Sequence, residues 1–202
     1  MQISANEGLV VGDSLCIINE SGDTLNTVDS GYFSDACMTD NGTVYALKCR
    51  KEGEVVPIHK VGNDWEKQGG IILFAYESDN FHHYSGINYP GSDMNTLVVS
   101  YNDIFVAISH KHTIIRYDMS GHRLHILVKD AKLFKQPSIC GMNNDKLLIA
   151  HRQSSRLDQL EITGKIVPLE GFNCSSQFAI FQSNSKLWVL TENSQLLKYS
   201  FE

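Results

Sequence analysis

The chain has 202 residues, of which 42% are hydrophobic, 20% charged and 9% aromatic, enough apolar side chain to bury a core without disulfides or a structural metal. Lys and Arg number 17 against 23 Asp and Glu, a net charge of −6, so the cation surplus with which a general nucleic-acid binder displaces phosphate counterions is missing. No apolar run approaches the roughly 18 residues of a membrane span, and no basic-then-apolar leader is visible; no membrane association is expected.

In chain order the sequence repeats one succession: a short apolar strand, a polar turn, a strongly apolar strand, a strand of mixed faces, and a turn closed by glycine. The first unit reads as strands at 1–4, 9–11 and 15–18, then the turn Asn19-Glu20-Ser21-Gly22. The second has strands at 35–38, 44–48 and 55–59 before Lys60-Val61-Gly62. The third has 96–100, 104–109 and 113–117, then Asp118-Met119-Ser120-Gly121 and a fourth strand at 123–128. The fourth has 138–142, 146–150 and 156–161, then Ile162-Thr163-Gly164 and a fourth strand at 165–169. The fifth has 177–181, 187–191 and 195–201. The closing glycines are 40, 59 and 43 residues apart.

No segment sustains the 3.6-residue period of a helix. Short Val-, Ile-, Leu-, Tyr- and Phe-rich runs between Gly, Asn, Asp and Ser clusters read as strands. Four short antiparallel strands per unit of about 40 residues make a β-propeller blade. An all-β fold is therefore expected, a single β-propeller domain over 1–202 with about five blades at 1–34, 35–95, 96–136, 137–175 and 176–202. A sandwich of evenly spaced hairpins accounts less well for glycine and strand order recurring together. The last blade ends before its outer strand is due. Either a five-bladed ring closes on a three-stranded blade, or these blades are part of a longer ring, because an open strand edge invites pairing.

The best copy of the unit is Thr113-Ile114-Ile115-Arg116-Tyr117-Asp118-Met119-Ser120-Gly121, followed by Gln136-Pro137-Ser138-Ile139-Cys140. An apolar pair after a D/N-G turn, an I-x-x-[YF]-[DS]-x-x-G third strand and a proline opening the next unit together resemble the NHL-repeat β-propellers found at the C-terminus of tripartite-motif proteins. Unit two lacks the aromatic–acid–x–x–Gly ending, and unit four has Leu160-Glu161-Ile162-Thr163-Gly164 in its place. The tryptophan–aspartate pair of WD40 blades is absent, since Trp65 and Trp188 are followed by Glu66 and Val189. The resemblance implies a binding platform for protein partners or, in some members, for single-stranded RNA on a basic face.

Five cysteines, Cys16, Cys37, Cys49, Cys140 and Cys174, form no CxxC pair. Four sit in apolar contexts, so they read as small buried hydrophobes of a reducing, cytoplasmic setting. The most individual segment is the insertion 76–95, which stretches the second glycine interval and carries Phe81, His82, His83, Tyr84 and Tyr89. Long loops on compact scaffolds are commonly functional, and aromatics with polar tips are favoured interface anchors. These five residues are the candidate protein-binding site. A second reading is RNA binding through a local basic cluster, Lys111, Arg116, Arg123, Lys129, Lys132 and Lys135, with Tyr117 and Phe134 for stacking. His110-Lys111-His112 is where a metal-dependent hydrolase or lyase would begin, but metal sites need three or four ligands and a solvated turn accounts for it better. With no nucleophile elbow, phosphate loop or dinucleotide fingerprint, the expectation is a non-catalytic module without cofactor or metal, presenting loops to a protein partner within an intracellular scaffold.

Overall fold

The structure is a computed structural model of the chain. It describes residues 1–39, 41–48, 52–75, 96–108, 113–128, 137–142, 146–151, 156–170, 172, 177–183, 186–191 and 195–200. Every regular element among them is a strand, and no helix there is long and apolar enough to cross a membrane. The strands form antiparallel sheets that follow chain order, as blades do. Contacts divide the chain into two compact units, Met1–Met94 with Ser120–His122, and Asn95–Met119 with Arg123–Glu202.

In the first unit, blade one pairs β1 (Glu7–Val11), β2 (Ser14–Asn19) and β3 (Thr24–Ser30) in that order. The strand expected at 1–4 reduces to a single bridge between Gln2 and Gly8. The reason is local: the N–H groups of Ile3 and Ser4 both turn onto the Glu7 carbonyl, which tightens the connection and ends the ladder after one pair.

Blade two pairs β4 (Phe33–Met38), β5 (Val44–Lys48), β6 (Glu52–Val61) and β7 (Asp64–Lys67), and a further strand β8 (Ile71–Ala75) also pairs with β6. β7 covers the C-terminal half of β6 and β8 its N-terminal half, both antiparallel. They are one outer strand broken at Gln68-Gly69-Gly70. Gly69 has φ +61°, and the Glu54 carboxylate lies over Gly70 where any Cβ would clash. The sequence period had placed no strand at β8.

In the second unit, blade three runs β9 (Thr96–Ser100), β10 (Asp103–Ile108), β11 (Thr113–Asp118) and β12 (Arg123–Val128). Blade four runs β13 (Pro137–Met142), β14 (Lys146–His151), β15 (Leu157–Glu161) and β16 (Ile166–Pro168). The last sheet has three strands, β17 (Gln177–Ser183), β18 (Lys186–Thr191) and β19 (Leu196–Ser200).

The four repeat glycines share a backbone state. Gly22, Gly62, Gly121 and Gly164 have φ of +86°, +64°, +85° and +91°, the left-handed region that glycine enters without steric cost. At two of them the hydrogen bonds repeat as well. The N–H of Gly22 donates to the Asn19 carbonyl and that of Gly164 to the Glu161 carbonyl, at 3.0 and 2.8 Å. Residues 19–23 and 161–165 are thus the same hairpin loop, a tight turn followed by a left-handed glycine.

Alternation along each strand explains the packing. In β14, Leu147 and Ile149 pack with Phe105, Ala107 and Ile114 of blade three, while Leu148 and Ala150 pack with Leu187 and Val189 of the last blade. A strand serving two seams must be apolar throughout, which is why it reads as an unbroken hydrophobic run. In the first unit, Leu9, Leu15 and Ile17 of blade one pack with Val44, Ala46, Val56, Ile58 and Trp65 of blade two. Of the cysteines, Cys140 is buried as expected, but Cys16 and Cys37 are only half-buried. Cys49 and Cys174 lie outside the described residues.

Candidate functional site

The sequence-based candidates divide by position. Phe81, His82, His83, Tyr84 and Tyr89 lie outside the described residues, as do Lys111, Lys129, Lys132, Lys135, Phe134, His110 and His112. The strands flanking the insertion are described: it departs from the end of β8 and returns at the start of β9.

Arg116 and Arg123 are described. Arg116 stands opposite His125 and its neighbour Tyr117 opposite Arg123, with a register shift between the two pairs. Arg116 also donates from Nε to Asp103 Oδ2 at 2.7 Å, with Nη2 at 2.5 Å from the same oxygen. Its charge is already matched by a mostly buried carboxylate. Tyr117 is 2% exposed, and burial pushes its hydroxyl up to about 12 against the opposing effect of Arg123. Its ring belongs to the core and is not offered to a base. Among the described residues, then, Arg116 is engaged by Asp103 and Tyr117 is buried.

Three other polar clusters emerge from the fold. Glu7 on β1 accepts at Oε2 from Lys60 Nζ (2.7 Å), Ser4 Oγ (2.9 Å) and Trp65 Nε1 (3.4 Å). The Lys60 and Ser4 bonds outweigh the opposing effect of burial, and with help from Trp65 they hold the carboxyl below its ordinary value. Asp29 on β3 accepts at Oδ2 from Lys67 at 2.9 Å and Lys48 at 3.1 Å. Burial pushes this carboxyl up, but the two lysines outweigh it and the net shift is downward. Both clusters join blade one to blade two, and Asn26 adds a bond to the Trp65 carbonyl at 3.2 Å.

The third cluster lies in blade four. His151 Nε2 stands 3.0 Å from Asp158 Oδ2, and Arg156 Nε donates to the other oxygen, Asp158 Oδ1, at 2.6 Å. His151 and Asp158 are 2% and 1% exposed. Burial lowers the imidazole's affinity for a proton more than the Asp158 bond raises it, and Arg156 opposes protonation too. The histidine is therefore a neutral donor to a carboxylate whose charge Arg156 balances. Cys140, in the same apolar cluster, has its thiol pushed up to about 12 by burial and is no nucleophile at neutral pH. Among the described residues no three His, Cys, Asp or Glu side chains stand close enough to hold a metal ion. These clusters can orient strands and neutralise buried charge.

Three-dimensional likeness agrees with this architecture. A protein of unknown function from Bacteroides caccae superposes with a TM-score of 0.72 at 15% identity, over 97% of this chain and 74% of that one. A catalytically inactive H270A virginiamycin B lyase from Staphylococcus aureus, solved with quinupristin, gives 0.55 at 15% identity over 98% and 68%. BamB from Moraxella catarrhalis gives 0.57 at 10% identity over 100% and 57%. No protein-family model matches the sequence, and no curated protein matches it either. The lyase and BamB are β-propeller-like, and sheet order together with this likeness places the chain among the β-propellers. Identities this low carry the fold and not the activity.

Proposed function

We propose that this chain is a non-catalytic β-propeller module of the NHL-repeat kind, which presents its insertion at 76–95 to a protein partner within an intracellular scaffold. The observation that carries this reading is where the insertion is mounted. It leaves from β8, the half-strand seated against β6 where Glu54 covers Gly70, and re-enters at β9, the first strand of blade three. The segment with Phe81, His82, His83, Tyr84 and Tyr89 is thus flanked in sequence by two paired strands, and loops that connect paired strands commonly serve as binding elements. The described carboxylates Glu7, Asp29, Asp103 and Asp158 are engaged in ties between strands and blades, a role that suits a scaffold. The NHL assignment rests on the repeat residues quoted above.

The test compares affinity capture by the chain with capture by a variant whose residues 81–89 are replaced by glycine and serine. We expect a partner retained by the first to be lost from the second, with the circular dichroism spectrum unchanged. Unchanged capture removes the insertion from the binding surface. A second reading is a metal-dependent propeller hydrolase or lyase, and the likeness to virginiamycin B lyase favours its lyase form. Stoichiometric zinc, calcium or iron in elemental analysis of the purified protein is the result that would replace the first reading by the second.

A further inference from the structure

β4 and β5 are joined by a turn that begins at Thr39 and ends at Thr43, and the Thr39 N–H closes it onto the Thr43 carbonyl at 2.9 Å. Within it lies Asn41, and of all the asparagines in the chain only this one precedes a glycine. That pairing carries a chemistry of its own. The main-chain nitrogen after an asparagine can attack the side-chain carboxamide, and glycine hinders the attack least because its Cα bears no side chain. Gly42 N forms a bond to Asn41 Cγ and gives its proton to solvent. The Cγ–Nδ2 bond breaks, and ammonia leaves with a proton from water. Water then opens the cyclic imide at either carbonyl, leaving aspartate or isoaspartate.

The turn holds both reacting groups off this path. The new bond must take the direction of the Gly42 N–H bond it replaces, because the bonds of an amide nitrogen lie in one plane. That direction is filled by the Thr39 carbonyl oxygen, which accepts from Gly42 N at 2.9 Å. The carboxamide is pinned as well. Asn41 Oδ1 accepts from the Thr39 hydroxyl at 2.6 Å and from Thr43 N at 3.0 Å, the side-chain turn in which asparagine bonds the main chain two residues on. The same hydroxyl lies 3.0 Å from the Thr43 carbonyl. Nucleophile and electrophile are thus both bonded to Thr39.

We propose that Asn41 is a latent self-modification site, held closed by Thr39 and released when the β4–β5 hairpin opens. Opening frees the Gly42 nitrogen and the Asn41 carboxamide together, and water is the only co-reactant. The isoaspartate product routes the main chain through the former side chain and lengthens the turn by one carbon. The Thr39–Thr43 bond then cannot close it as before. A transient opening of the hairpin thereby becomes permanent, as chemical change of an opened state does, and it does so beside β5, the strand on which β6 pairs.

The experiment follows Asn41 by peptide mass mapping while the full chain is incubated, folded or unfolded in denaturant, at one pH. Hydrogen exchange of the Gly42 amide is measured beside it. Exchange and attack both require the Gly42 proton to leave the Thr39 carbonyl, so folding is expected to slow deamidation by at least the factor by which it protects that amide. Thr39→Val removes the hydroxyl and is expected to raise the folded rate about tenfold, the worth of one hydrogen bond. Thr39→Ser keeps the hydroxyl and is expected to keep the slow rate. If circular dichroism shows Thr39→Val misfolded, the wild-type comparison decides alone. Deamidation as fast in the folded chain as in the unfolded one, or slowed less than the Gly42 amide is protected, overturns the proposal. So does an Asn41 that stays intact in the unfolded chain, or a folded Thr39→Val variant that reacts no faster than wild type.

Discussion

The seam between blades one and two and the seam between blades four and five solve the same problem with different chemistry. The first combines an aliphatic core with two carboxylates, Glu7 and Asp29, which reach across to Lys60, Lys48 and Lys67. Their partners are partly exposed, so the ties are open to solvent and salt. The second is aliphatic, with its polar content placed in one buried group, His151–Asp158–Arg156, bonded within blade four. One repeat thus tolerates both a solvated electrostatic seam and a dry one. The two respond to different perturbations, and that difference can be measured.

The largest effect is expected at the dry seam. Leu148→Ala removes a fully buried side chain and is expected to cost about 3 kcal/mol in denaturant unfolding, whereas Leu25→Ala on exposed β3 should cost under about 0.5 kcal/mol. Equal losses would mean that blades four and five are not held by this packing. The repeat turns give an intermediate pair. Gly164→Ala forces a side chain into the left-handed region and sets its Cβ 3.0 Å from the Leu127 carbonyl oxygen, while Gly22→Ala meets nothing within 4 Å. We expect about 2 kcal/mol for the first and about 1 kcal/mol for the second. A reversed order in thermal unfolding would break the equivalence of the two turns. The smallest effect is at the electrostatic seam: Asp29→Asn should cost about 1 kcal/mol at low salt and less at high salt. A loss independent of salt would show that Asp29 acts through packing.

The strand pattern and the repeat glycines were legible because both are local. The runs that became β5, β9 and β12 keep their expected bounds, since apolar alternation and turn residues are read within a few positions. Asn19 was visible as a turn residue, and its side chain indeed bonds Asp23. The ties between blades were not legible. Glu7 and Lys60 are 53 residues apart and Asp29 and Lys67 are 38 apart, and no period connects them. His151 was hidden for the opposite reason: it ends an apolar strand without a neighbouring histidine, whereas the doublets at His82-His83 and His110/His112 draw attention by spacing alone. β8 escaped because it follows two glycines and runs straight into the insertion. The pairing of Arg116 with Asp103 needed the ladder register, which composition cannot supply.

The central claim is that the described ionisable groups tie strands together within blade four and tie blade one to blade two, and acid tests it directly because the two clusters titrate in different windows. His151 binds its proton less readily when folded than its ordinary value of 6.5, so the unfolded chain takes up the proton first and the stabilisation is lost as pH falls below that value. Glu7 and Asp29 are held below ordinary values of 4.5 and 3.8. Their contribution is full above those values and is lost only as pH falls through the lowered ones. Amide hydrogen exchange followed from about pH 7 to about pH 4, corrected for intrinsic rates, should therefore show blade four losing protection first while blades one and two hold. His151→Gln should flatten the response of blade four alone. Protection lost first from blades one and two, or from both regions together, would contradict the account.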